Sequence, residues 1–186
     1  IVKQSKMNID SIDLSSLKDV FEEKLQEFRS KNTMECLNWL IKHIESNKND
    51  NGNEYNEEME KLNGQQFIKL MDCYDGLKVI DMKKNLIGLL FKFTGNVNDF
   101  YLERTSMVSK YIKHVCETTI KNKDRDLIAV WINKYSDIFG DFVIKSTYAV
   151  IKKDDNDGKY RKIYNIYMEI LTMITNILEY NFKFRN

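Results

Sequence analysis

Two histidines, three cysteines and a few clustered acids are what this chain offers to catalysis or metal binding. His43 and His114 each lie beside apolar residues at helical spacing. That setting reads as a surface or half-buried imidazole rather than a general base or a metal ligand. Cys36, Cys73 and Cys116 follow one another at intervals of 37 and 43 residues. Zinc sites need close pairs and a disulfide framework needs an even count, so the thiols read as free and the compartment as reducing. Glu57, Glu58 and Glu60 lie in or beside a polar tract with nothing apolar to raise a carboxyl pKa, which assigns them to solvent. Asp154-Asp155-Asn156-Asp157-Gly158 has the oxygen-rich look of half a calcium loop. The twelfth position, where an EF-hand places its closing glutamate, is Asn165, so a solvated turn is the better reading. The sequence carries no GxSxG, GxGxxG or HExxH pattern and no phosphate loop ending in GK[ST]. The expectation is a non-enzyme with no catalytic residue, no cofactor and no metal.

One stretch offers binding chemistry instead. From Arg104 to Arg125 the cations are Arg104, Lys110, Lys113, Lys121, Lys123 and Arg125, against Glu117 and Asp124, a local charge of +4. Lys121, Lys123 and Arg125 gathered at a helix entrance are the candidate contacts for a phosphate or an acidic partner. Trp39 and Trp131 fall in apolar stripes, where core packing is the default and a partner pocket the alternative.

The elements that must position these residues are helical. The chain has 186 residues, 42% of them hydrophobic, enough for one large domain or a short repeat array. A net charge of +1 gives no general attraction to nucleic acid or to an anionic membrane. Zero Pro and 7 Gly argue against a fold of tight turns and for helices joined by polar loops. No apolar run reaches the length of a membrane span, and the N-terminus lacks a secretory core, so the chain reads as soluble and intracellular, in the cytoplasm or nucleus. Abundant Lys, Asn, Ile and Tyr suggests an AT-rich genome.

Helical spacing predicts a first helix after a Ser16 cap, with Leu17, Val20, Phe21, Leu25 and Phe28 on one face. A second carries Met34, Leu37, Leu40, Ile41 and Ile44, and the tract 47–58 that follows reads as a polar loop or disordered insertion. Later segments centre on Phe67, Leu86 to Leu90, Met107 to Val115, Leu127 to Trp131, Phe142 and Ile163 to Leu178, with Gly76 and Gly95 as C-terminal caps. Leu86, Leu90, Ile112, Trp131, Ile170 and Leu171 are the expected core.

Three apolar segments, beginning at Leu86, Leu127 and Ile166, recur at intervals of 41 and 39 residues, within the armadillo and HEAT range. The predicted fold is an all-α, right-handed superhelix of roughly nine to eleven helices, with 1–186 as a single helical-repeat domain. An irregular helical domain is the alternative.

Two families share features with these segments. The passage from Gln66-Phe67-Ile68 through Leu77-Lys78-Val79-Ile80-Asp81-Met82 to Lys83-Lys84-Asn85-Leu86-Ile87-Gly88-Leu89-Leu90-Phe91 resembles the armadillo-type scaffold family of calcium-binding protein thirty-nine, also called mouse protein twenty-five. That resemblance implies a non-catalytic scaffold for a kinase or pseudokinase, with this chain matching the family's N-terminal half. Phe21-Glu22-Glu23-Lys24-Leu25, Trp39-Leu40-Ile41, Lys83 to Leu90 and Leu127 to Trp131 look like the RNA polymerase II C-terminal-domain interacting fold. It implies a phosphopeptide groove with Lys121, Lys123 or Arg125 near a phosphoserine. In size and composition the chain is also similar to viral helical death-regulator mimics.

Overall fold

The computed structural model describes residues 13–47, 57–94 and 102–134, with side chains of the 102–121 stretch from Lys110 onward, and single helical positions between 161 and 179. Among these residues every regular element is helical and no strand occurs, which is the all-α class expected. The order is α1 (Leu14–Lys31), α2 (Met34–Ser46), α3 (Glu57–Met71), a single 3-10 turn (Tyr74–Gly76), α4 (Ile80–Thr94) and α5 (Leu102–Lys121). A further helical segment covers 125–134. Two compact units divide the chain, Ile1–Leu70 and Met71–Asn186.

In the first unit α1 packs on α2 as a helical hairpin. The joint is two residues long and uses no glycine. Asn32 takes the left-handed conformation at φ 51° and returns its N–H to the Phe28 carbonyl at 2.7 Å, closing α1. Thr33 then opens α2, its hydroxyl oxygen accepting from the Cys36 amide at 3.3 Å. The start of α1 differs from the expectation. Asp13, not Ser16, is the cap: its carboxylate accepts from the Ser16 amide at 3.1 Å and places a full negative charge at the positive end of the helix.

Phe21, Leu25 and Phe28 on α1 meet Cys36, Leu37, Leu40, Ile41 and Ile44 on α2, all buried. Val20, assigned to the same stripe, is 43% exposed. Trp39 is also off the core centre. It is half-buried, stacked on His43 at 5.0 Å between ring centroids, with the Lys24 ammonium 5.8 Å from its ring. α3 joins the hairpin through an ion pair of Lys69 with Glu22 and through Asn63, whose side-chain amide donates to the Asn47 carbonyl at 2.7 Å. Asn47 also closes α2, and Glu57 and Glu58 already belong to α3, so both ends of the supposed 47–58 loop are structured; 48–56 lies outside the described residues. Glu57, Glu58 and Glu60 fill the first turn of α3, where carboxylates suit the helix dipole.

In the second unit α4 packs on α5. Leu86, Leu90, Ile112 and Trp131 are fully buried, as the periodicity predicts. Trp131 meets Phe91 edge-to-face at 4.6 Å. Leu171 is only half-buried, a departure from the expected core, and Ile170 lies outside the described residues.

The cap expected at Gly76 also differs, because this glycine sits inside the 3-10 turn with φ outside the left-handed region; Gly95 lies outside the described residues. A residue that does turn left-handed is Lys123, at φ 56°. Its N–H reaches the Ile120 carbonyl at 3.1 Å while the Asp124 N–H reaches the Thr119 carbonyl at 3.3 Å, the paired bonds of a Schellman ending. Asp124 then caps the next helix, its carboxylate accepting from the Leu127 amide at 3.3 Å.

Two outcomes follow from this packing. Trp131→Ala is expected to destabilise the protein by about 3–5 kcal/mol in urea denaturation, since a fully buried indole leaves a large cavity. His43, stacked on Trp39 and 5.7 Å from the Phe21 ring, has its pKa held below the ordinary imidazole value, chiefly by burial, with a backbone hydrogen bond at Leu17 opposing. Below the unfolded value the unfolded chain binds more protons than the folded one. Stability conferred by the neutral ring is therefore complete above about pH 7 and falls as pH drops towards about 5. Urea midpoints across that window should slope in the wild type and flatten in His43→Gln.

Candidate functional site

On the second unit, two stretches 39 residues apart meet through polar side chains. Between α3 and α4 the chain buries every third residue: Met71, Tyr74 and Leu77 are 2%, 2% and 4% exposed. A 3-10 turn repeats every three residues, so Asp72 and Asp75, one position later, fall together on the exposed side. On α5, Ile112, Val115, Cys116 and Thr119 face the core, and Lys110, Lys113 and His114 face out. Tyr111 lies between, its ring buried and its hydroxyl reaching the rim.

The two i,i+3 pairs meet rung by rung. The Tyr111 hydroxyl donates to Asp72 Oδ1 at 2.8 Å. One turn along, His114 Nε2 stands 2.8 and 2.9 Å from the two oxygens of Asp75. A ring nitrogen facing two carboxylate oxygens must carry the proton, which leaves Nδ1 turned away from Asp75. This ladder edges an open depression of about 300 Å³, floored by Met71 and Val115, with Lys110 at the rim. The Lys110 ammonium stands 4.8 Å from the Tyr111 ring centroid.

Burial, reinforced by the Asp72 carboxylate, pushes the Tyr111 phenol above its ordinary range. Tyr74 is raised to about 12 by burial, with a hydrogen bond between its hydroxyl and Thr119 opposing. Cys116 is likewise pushed up to about 12 by burial, which holds it as an inert thiol. Among the described residues, the lining brings no Ser, Thr or Cys to the His114–Asp75 pair, and no group of three or more His, Cys, Asp or Glu is placed to hold a metal ion. What the ladder offers is hydrogen bonding and negative charge from directed carboxylates.

The residues singled out from the sequence are placed as follows. Lys121 ends α5, Lys123 is the left-handed residue after it and Arg125 opens the next helix, so all three flank one turn and all are exposed. Asp124 stands between them with its carboxylate on the Leu127 amide. His114 is exposed, as its pattern suggested, but is tied to an aspartate that sequence reasoning did not link to it. Asp154 to Gly158 lies outside the described residues. Among the described residues no helix is long and apolar enough to cross a membrane.

No protein-family model matches the chain, and no curated protein and no solved structure matches it at a significant level.

Raised phenol pKa values make stability sensitive to alkali. Between about pH 10 and pH 12 the unfolded chain has released phenolic protons that the folded chain still holds at Tyr74 and Tyr111, so stability falls as pH rises. Tyr111→Phe is expected to shallow that fall without abolishing it, Tyr74 remaining, as read from urea midpoints followed by circular dichroism.

Proposed function

We propose that this protein is a non-catalytic helical-repeat adaptor that binds a protein partner, with the ladder of the second unit as a contact surface. The observation that carries the reading is the ladder itself. Tyr111, His114, Asp72 and Asp75 are ordered by mutual hydrogen bonds while the His114 and Asp75 side chains stay 50% and 63% exposed. A surface whose polar groups are already oriented loses little entropy when a partner arrives.

The repeat part of the proposal is an armadillo or HEAT-like right-handed superhelix. It draws support from the packed pairs α1 with α2 and α4 with α5. Leu86 to Leu90 and Leu127 to Trp131 also bury the same positions of their five-residue segments, the first, second and fifth, and leave the third outward: Gly88 is half-buried and Ala129 exposed. Met168, the third residue of the next segment, is 40% exposed. A kinase or pseudokinase is the partner class that the first family resemblance implies.

A phosphopeptide reader of the polymerase-tail type is the second reading, favoured by Lys121, Lys123 and Arg125 being exposed around a single turn. Against it, Asp124 offers its own carboxylate to the Leu127 amide, where a phosphate would dock.

Affinity isolation with the full chain from its native cells, followed by reconstitution with the purified partner, tests the adaptor. A stoichiometric protein complex is expected, and robust turnover in a hydrolase or transferase screen would replace the adaptor with an enzyme. Under the second reading a phosphorylated peptide binds in a salt-dependent manner and loses about 1–3 kcal/mol in Arg125→Glu. The expected result is no such binding.

A further inference from the structure

Amides interrupt the buried face of α3. Met59, Leu62, Asn63, Gln66, Phe67 and Leu70 are all at most 8% exposed, and at helical spacing Asn63 and Gln66 fall in the middle of that stripe, with Leu62 on one flank and Phe67 on the other. Gln66 is 3% exposed, and neither its side-chain nitrogen nor its oxygen has a hydrogen-bond partner. Asn63, 2% exposed, donates to the Asn47 carbonyl but leaves its own oxygen unmatched, and the Asn47 side-chain nitrogen is unmatched as well. Buried polar groups are ordinarily paired, so these mark a place where the docked helix forgoes hydrogen bonds that water would supply. A second, independent weakness lies in the backbone. Gly64 follows Asn63 at the middle of α3, and both residue types disfavour a helix interior. α1 and α2, by contrast, meet through the apolar face of Phe21, Leu25, Phe28, Leu37, Leu40 and Ile44, and the unmatched His43 Nε2 belongs to a half-buried residue at its edge.

We infer that α3 is a strap built to open: it leaves the α1–α2 hairpin as a separate cooperative unit while the hairpin stays folded. Undocking returns the Gln66, Asn63 and Asn47 amides to water, which offsets part of the cost of exposing Met59, Leu62, Phe67 and Leu70. A face that was apolar throughout would recover nothing. Once free, a 15-residue helix with Asn-Gly at its middle is too short and too weak to persist, so undocking and melting are one event. The polar ties to the hairpin include the ion pair of Lys69 with Glu22 on α1 and the Asn63 amide on Asn47, the residue that closes α2. The Lys69 and Glu22 side chains are 41% and 32% exposed, and an ion pair that open to solvent holds weakly. Opening of α3 needs no partner and is independent of the adaptor reading. Segments that open below the global transition are the ones a protein has free for rearrangement.

The test is amide hydrogen exchange of the full chain, read residue by residue by nuclear magnetic resonance in native buffer. Amides of residues 61–70 are expected to exchange through an opening about a hundredfold more populated than the one that exposes residues 21–28 and 37–44. Gln66→Met keeps the length of the side chain and removes its amide, and is expected to lower the α3 opening population about tenfold while leaving α1 and α2 unchanged. Gln65→Met, on the exposed side of the same helix, is expected to change neither, since the two residue types have similar helix propensity. Exchange of α3 in step with α1 and α2 would overturn the inference. So would an α3 opening that is unchanged or enlarged in Gln66→Met, an equal response to Gln65→Met, or a Gln66→Met chain that fails to fold. A long-lived water cross-peak at the Gln66 side-chain amide would overturn it too, because the group is then matched in the docked state.

Discussion

Tyr74 must bury a phenol ring from a turn only three residues long, and the outward placement of Asp72 and Asp75 depends on how it does so. Burial of Met71, Tyr74 and Leu77 fixes a three-residue period, and that period leaves Asp72 and Asp75 no direction but outward. A 3-10 turn brings residues three apart directly into line, where an α-helix keeps them on one face but offset by about 60°. Helical spacing on α5 supplies the matching register, because Tyr111 and His114 are also three apart. The ladder is thus a by-product of core packing. Core packing sets where its four residues stand, and their own hydrogen bonds then orient the exposed side chains.

The first unit solves a related problem with different residues. Its hairpin brings α1 and α2 together across two residues, using Asn32 where many proteins place glycine. Asparagine tolerates the left-handed region because its short amide interacts locally. Lys123 occupies the same region without that advantage, held there by two backbone hydrogen bonds and by the cap that follows.

Much of the helical class was legible because burial repeats. Phe21, Leu25 and Phe28 recur at the spacing of one helix face, and Leu37, Leu40, Ile41 and Ile44 do the same on the next. Residues at the edge of a stripe were less legible: Val20 and Trp39 satisfy the spacing but sit where the stripe meets water. Helix ends were misread at Ser16 and Gly76, since several residue types can cap and tertiary packing selects among them. The ladder was not legible at all. His114 could be read as exposed from α5 alone, yet Asp75 lies 39 positions away, and nothing local announces a partner across that distance. The one available signal was a pair of polar i,i+3 motifs, Asp72 with Asp75 and Tyr111 with His114, and spacing alone does not say that two such motifs meet.

Asp124 belongs to two helices at once. Its N–H closes α5 on the Thr119 carbonyl, and its carboxylate and carbonyl start the segment 125–134 through Leu127 and Ile128. Helix ends ordinarily fray one at a time, whereas here the last turn of α5 cannot loosen without disturbing the first turn of its successor. Three residues that trypsin-like proteases cut after, Lys121, Lys123 and Arg125, lie on or beside this joint. A protease must wait for both ends to open before the backbone fits its cleft, so the rate of nicking there reports the joint opening of two helices and not the accessibility of the basic side chains.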